Sequence, residues 1–204
     1  MAESSVNVTE GSGKRLHTYD RTISSVLIQD QFTLPAEYPY ASYVVDSNFT
    51  SVATTSAHVL QIMAGASLNV RLRRLRIEQV ASATTVAALS FEIMRLTTAG
   101  TGGTAITPAK FDTADAASGA TAMTLPTAKG TESTTLFRTV LIMRQATAAT
   151  ATQPEEMFEW TQHPGTKPII IPAGTANGIA VKIGTGVAAA TVIVTAEFVE
   201  TAFV

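Results

Sequence analysis

The stretch SLNVRLRRLRIEQV, Ser67 to Val80, decides how the chain is read. In a strand, residues i and i+2 share a face. Leu68, Val70 and Leu72 therefore predict one face turned to a core, with Asn69, Arg71 and Arg73 on the other. Past that point the apolar residues are Leu75 and Ile77, of opposite parity, and Arg74, Arg76 and Glu78 take the outer positions. The phase slips at Arg73 and Arg74. A one-residue slip in a half-buried strand is what a β-bulge does: two residues stand opposite one on the partner, and alternation resumes in a shifted register. The stretch predicts a bulged strand with Arg71, Arg73, Arg74 and Arg76 on one outer face.

Three destinations compete for that basic face. Cross-strand ion pairs with Glu78, Glu92 and Glu159 would be worth a few tenths of a kcal/mol each and need no partner. Contact with an acidic surface of another subunit suits arginine, the cation favoured at interfaces. Nucleic acid would need a wide basic field and interleaved aromatics. A net charge of -2 and a pI near 5.9 deny it that field, so no nucleic-acid partner is expected.

Working outward, the rest of the chain repeats the strand signature, short runs of period two broken by Gly, Pro, Thr and Asp. Runs around Val26 to Ile28, ALSFEIMRL, TLFRTVLIMRQ, EMFEWT, KPIIIP, GIAVKIG and TVIVTAEFVETAF read as strands, while AHVLQIM is either a strand or one helical turn. The count, about eight to nine, predicts an all-β antiparallel sandwich. Arg95 and Arg144, near strand ends, are expected to join the outer basic set. Residues 1 to 20 are polar with Gly11 and Gly13 and read as an extended arm carrying Lys14 and Arg15, leaving 21 to 204 as one domain. Residues 97 to 135 break the rhythm with small residues. So long an insertion is mobile, held by other copies, or built around short strands near Ile106 and Met123.

Of 204 residues, 46% are hydrophobic, 15% charged and 6% aromatic. A surface this poor in charge suits a chain whose neighbours cover much of it, so a homo-oligomer is expected. Tyr38, Tyr40 and Tyr43 gather within six residues and serve either as a buried contact between subunits or as a wall of the domain's own core. No apolar export segment and no run of 18 apolar residues occurs, which predicts neither export by a signal peptide nor a membrane partner.

Chemistry is scarce. With no cysteine, thiolate catalysis and Cys-ligated metals are excluded. His17, His58 and His163 are far apart and in no ligand spacing, so no metal is expected. The glycines near Lys14 and at 100, 102 and 103 fit neither a phosphate loop nor a dinucleotide fingerprint, so no cofactor is expected either. No nucleophile elbow is present, and nothing selects two carboxylates as an acid and base pair.

The run EWTQHPGTKPIIIPAGTANGIAVKIGTGVAAATVIVTAEFVE, Glu159 to Glu200, resembles a pattern of β-sandwich structural proteins of tailed bacteriophages. There a hairpin of this kind, with turns at Pro172-Ala173-Gly174 and Asn177-Gly178, returns through Ile179, Val181 and Ile183 into a terminal strand. The resemblance implies a jelly-roll-like sandwich with no catalytic residues. It further implies a capsid decoration (cement) protein on the capsid exterior, present in the host cytoplasm during assembly, binding the major capsid protein as a homotrimer. The alternative is a carbohydrate- or receptor-binding module of a head or tail fibre, for which Trp160 and the tyrosines would be the platform.

Overall fold

The computed structural model describes residues 18–23, 26–31, 40–48, 50–81, 87–143, 155–163, 165–188 and 190–202. The chain divides into two compact units, Met1–Pro39 and Tyr40–Val204. In the first, β1 (Thr18–Ile23) and β2 (Val26–Gln31) pair antiparallel, Ile23 opposite Val26. Lys14, Arg15 and Tyr38 lie outside the described residues, as does Arg144.

The second unit is all β. Its strands are β3 (Ser42–Asp46), β4 (Thr50–Ser51), β5 (His58–Met63), β6 (Asn69–Ala81), β7 (Ala87–Leu96), β8 (Thr104–Ile106), β9 (Ala109–Lys110), β10 (Thr121–Thr124), β11 (Glu132–Met143), β12 (Glu155–Thr161), β13 (Ile169–Ile171), β14 (Gly178–Thr185) and β15 (Thr191–Thr201). One sheet runs β11-β7-β14-β5-β10-β8 and the other β12-β6-β15-β3-β9, with β13 added to β6 and β4 to β15. Every pairing is antiparallel. The AHVLQIM run is a strand.

Eight of these strands have five residues or more, and their pairing is nested. Taken in chain order, the first pairs with the eighth (β3 with β15), the second with the seventh (β5 with β14), the third with the sixth (β6 with β12) and the fourth with the fifth (β7 with β11). Such nesting is one long antiparallel hairpin rolled up so that successive pairs alternate between two layers. The inner faces then meet in one core: Leu89, Phe91, Ile93, Ile179, Val181 and Ile183 from one sheet, Val70, Leu72, Leu75, Ile77, Val192, Val194 and Phe198 from the other, all buried.

The slip in β6 is where the sequence places it. Across from β15, Glu197 stands opposite Arg74 and Phe198 opposite Leu72, so Arg73 has no partner of its own. Leu72 and Leu75 both stay fully buried on either side of it. Keeping two such side chains inside is worth about 1.5–3 kcal/mol each, more than the roughly 1 kcal/mol of a lost ladder hydrogen bond. The bulge also serves as a corner. Gln162, just past β12, donates its amide to the Arg73 carbonyl at 2.9 Å and accepts from Arg73 Nη1 at 2.7 Å. There β6 exchanges β12 for β13 as its neighbour.

Four expectations are corrected. Leu68 precedes the strand and is exposed rather than core-facing. Asn69 is buried, because the 172–177 turn folds over it and Ala173 N donates to its Oδ1 at 2.8 Å. Arg95 shares the parity of Phe91 and Ile93 and turns inward, where it donates to the Ile170 carbonyl, so it does not join the outer set. Finally, β13 and β14 do not form a hairpin: Ile169–Ile171 adds to β6 and Gly178–Thr185 lies between β5 and β7. The turn between them crosses from one sheet to the other, with Gly174 at φ 116° donating to the Gly65 carbonyl at 2.8 Å.

Residues 97–135 contain short strands, as one of the three readings allowed. β10 pairs with β5 and β8 with β10, so the insertion extends the sheet at the edge opposite β11. Its two ends, 97–103 and 125–131, hold each other through Thr97 N to Thr131 O and the Thr101 and Ala128 bridge.

Candidate functional site

Two regions gather polar side chains, one on the outside of each sheet. On the seven-stranded sheet, Arg74 makes a two-pronged ion pair with Glu159, Nε to Oε1 at 3.1 Å and Nη2 to Oε2 at 3.0 Å, and reaches Glu197 on the other side at 3.5 Å. Register explains it: β12 places Glu159 opposite Arg76 and Thr161 opposite Arg74, while β15 places Glu197 opposite Arg74. Arg76 pairs with Glu78 two residues along the same face. Arg73 is held by Gln162. Arg71 is the exception among the four, for its side chain makes no ion pair or hydrogen bond among the described residues, and its buried Nε has no acceptor.

The tyrosines divide. Tyr43 is 1% exposed, its ring stacked on Phe198 at 5.5 Å and its hydroxyl donating to the Ala116 carbonyl at 3.1 Å, so it is a wall of the core and not a contact surface. Burial raises its pKa, with the charges of Glu200 and Asp115 adding to that. Tyr40 is partly exposed at the start of the unit. Beside Tyr43 a cleft of about 310 Å³ opens, lined by Gly65, Leu68, Ala116, Gly119 and Glu200. The Glu200 carboxylate is already committed to three donors, Ser118 Oγ, Gly119 N and Ala120 N, at 2.7–3.0 Å.

The six-stranded sheet holds a cluster the sequence reading missed. His58 is fully buried on the outward side of β5. Its Nε2 lies 2.9 Å from Glu132 Oε1, and Gln61 Nε2 meets its Nδ1. Gln61 in turn accepts the Gly100 amide through Oε1 at 2.9 Å, which fixes its amide orientation. Gln61 therefore donates to Nδ1, and His58 donates from Nε2–H to Glu132: a neutral imidazole with neither nitrogen free. Burial pushes the His58 pKa below its ordinary value of 6.5, more than Glu132 raises it. Burial alone would lift Glu132, but hydrogen bonds from Lys182 (2.8 Å), His58 and Lys129 (3.2 Å), with the Lys182 charge, bring it down to about 2. Lys182 also lies 3.8 Å from Glu92, which accepts from Arg138 Nε at 2.7 Å.

The insertion seals this cluster. A Cβ on Gly100 would stand 2.7 Å from Pro126 Cβ, 2.8 Å from the Ala128 carbonyl and 2.9 Å from Gln61 Nε2, so only glycine lets the chain lie this close over the sheet. On the same outer face, Met63, Met94, Leu96 and Ala180 form a second buried apolar cluster. A saturated imidazole cannot act as base, nucleophile or ligand without breaking the network. It acts as a strut between β5 and the start of β11. The sequence signal was His58 and Gln61 at i and i+3 in an otherwise apolar run, although their carboxylate lies 74 residues away. Among the described residues no group of three or more His, Asp or Glu could hold a metal ion, and no helix is long and apolar enough to cross a membrane.

The sheet edges complete the surface. β12 carries three carboxylates in its sequence and a bulge between Glu156 and Phe158. β8 and β9 are three and two residues long. β11 is twelve residues long, with two register shifts between Glu132 and Phe137, then seven consecutive regular pairs from Phe137–Ile93 to Met143–Ala87. In that regular half Val140 is 67% and Ile142 72% exposed. Comparison with known proteins finds no matching family model, no matching curated protein and no matching solved structure.

Proposed function

We propose that this chain is a non-enzymatic structural protein of a tailed-bacteriophage virion, a jelly-roll-like sandwich that binds the outside of the capsid as a homo-oligomer and stabilises the shell. The observation that carries the reading is the nested order of the eight long strands, β12-β6-β15-β3 facing β11-β7-β14-β5. Two interlocked Greek keys of eight strands are the arrangement of jelly rolls, which recur in viral capsid and lectin domains. Arg71 adds a second support: an outward side chain with no acceptor among the described residues suits a carboxylate of the major capsid protein. Repeated on an oligomer, individually weak contacts sum to durable attachment.

The carbohydrate-binding alternative needs an exposed aromatic platform. Trp160 is half-buried and packs against the core, and Tyr43 is inside it, so neither offers a free ring face. The test of the virion reading is copy number, measured by quantitative mass spectrometry of particles purified from a producing culture. Hundreds of copies per particle are expected, and absence from purified particles would overturn the proposal.

A further inference from the structure

We infer that the second half of β11, Phe137–Met143, pairs edge to edge with the same strand of a second copy, joining two six-stranded sheets across a two-fold axis through Val140. This rests on the oligomeric part of the proposed function and narrows it to a specific surface and a copy number of two.

A free strand edge presents a row of unpaired N–H and C=O groups, and proteins blunt such edges with short strands, charges or bulges. Around this unit the blunting is present at one edge after another. β8 and β9 end their sheets as fragments, and β12 is bulged and rich in glutamate. The first half of β11 carries two irregularities. The second half has none of these devices. It is regular, its one charged side chain is Arg138, and nothing among the described residues pairs with its far side. β12 approaches β11 at Phe137, where the ring lies 5.8 Å from Phe158, and the regular segment continues beyond that contact.

The occupant follows from the same survey. A strand edge is matched by another strand edge, and among the described edges of the Tyr40–Val204 unit of a second copy the long one without these devices is again Phe137–Met143, whereas β1 and β2 of the other unit carry Asp20, Arg21 and Asp30 in their sequences. Like meeting like gives an isologous contact, which closes at two copies and does not propagate into a fibre. In antiparallel pairing about Val140, residue numbers opposite one another sum to a constant, so Val140 faces Val140 of the partner and Arg138 faces Ile142 of the partner. All four lie on the outward face, since Arg138, Val140 and Ile142 stand opposite Glu92, Ser90 and Ala88, while Leu141 stands opposite the core residue Leu89. The pairing covers the two most exposed large aliphatic side chains of the described residues. It brings no like charges into opposition, and Arg138 is already matched by Glu92 at 2.7 Å. Two copies, rather than the three implied by the phage resemblance, make the closed unit.

Native mass spectrometry and light scattering across micromolar concentrations test this. Wild type is expected to form dimers. V140K places two lysines face to face and should raise the dimer dissociation constant roughly tenfold or more, since like charges directly opposite on paired strands repel. V140E should do the same, and mixing V140K with V140E should restore a mixed dimer, which only a two-fold through residue 140 allows. Hydrogen exchange on the wild type supplies a readout free of mutation: amides within Phe137–Met143 should gain protection as concentration rises. A strict monomer, a trimer as the smallest assembly, an oligomer indifferent to V140K, or protection that ignores concentration would each overturn the inference. Copy number in particles is read separately, so the virion proposal stands or falls on its own.

Discussion

The outer faces of the two sheets carry the same kinds of side chain and are built on opposite principles. On the seven-stranded sheet, Arg74, Arg76, Glu78, Glu159 and Glu197 lie open to solvent, a quarter to a third exposed, and pair where register happens to oppose them. On the six-stranded sheet, His58 and Gln61 are buried under a strap of small residues, with every nitrogen of the imidazole and amide placed, and Glu132, itself a quarter exposed, reaches in to meet them. Water competes for the first set and is displaced from the imidazole and amide of the second. A charge pair in solvent is worth little, whereas a buried donor or acceptor left alone costs its whole desolvation. Cover, more than residue type, decides which face matters to the fold.

The sharpest way to break that comparison is E132A. It removes the acceptor of His58, Lys182 and Lys129 at once and leaves a buried Nε2–H with no partner. A loss of about 2–3 kcal/mol in urea unfolding is expected, in the range of hydrogen bonds to charged groups. E132Q, which keeps an acceptor, should recover part of it. If E132A unfolds like wild type, the cluster is ornamental and the two faces are alike.

Acid should separate the faces next. Glu132 has its folded pKa depressed to about 2 from an ordinary 4.5, so its stabilisation is complete above pH 4.5 and is lost as pH falls from there toward 2. His58 is also depressed, and for a base this means folding favours the neutral ring. Its contribution is present above pH 6.5 and declines as pH falls below that value. The two share a hydrogen bond and titrate as a coupled pair. Melting temperature should therefore begin to fall below pH 6.5 and fall further below 4.5, with H58Q removing the upper part and E132Q the lower. An unchanged profile in both variants would disconnect the cluster from acid stability.

What could be read in the sequence follows the same division. Strand parity is a local signal of period two, so the β6 bulge, the row of arginines and most strand positions were legible from Ser67 to Val80 and its neighbours. The His58 cluster was not, because its members come from β5, β7, β11, β14 and the insertion, brought together by pairings that parity does not specify. The insertion itself was opaque for a related reason: Thr104–Ile106 and Thr121–Thr124 are too short to establish a period, and their place is set by the β5 edge they join. Tyr43 illustrates the limit of composition. A cluster of tyrosines looks like a contact surface until one of them is found stacked on Phe198 in a core whose other wall lies 155 residues away in the chain.

The smallest effect concerns the residues that were easiest to see. R74A removes a two-pronged pair to Glu159 and a longer contact to Glu197, all on a face where solvent screens them. The expected loss is about 0.5–1 kcal/mol at low salt, since exposed pairs rarely exceed this even with good geometry. Raising ionic strength toward 1 M shortens the Debye length to about 3 Å and should erase most of it. A double-mutant cycle of R74A with E159A in low and high salt isolates the pair from the lost packing of the arginine stem. A coupling above about 2 kcal/mol, or one that salt leaves untouched, would mean that this face is sheltered after all. In that event Arg71 would share the shelter and lose its availability to a partner, which ties the Arg74 pair to the docking role proposed for the face.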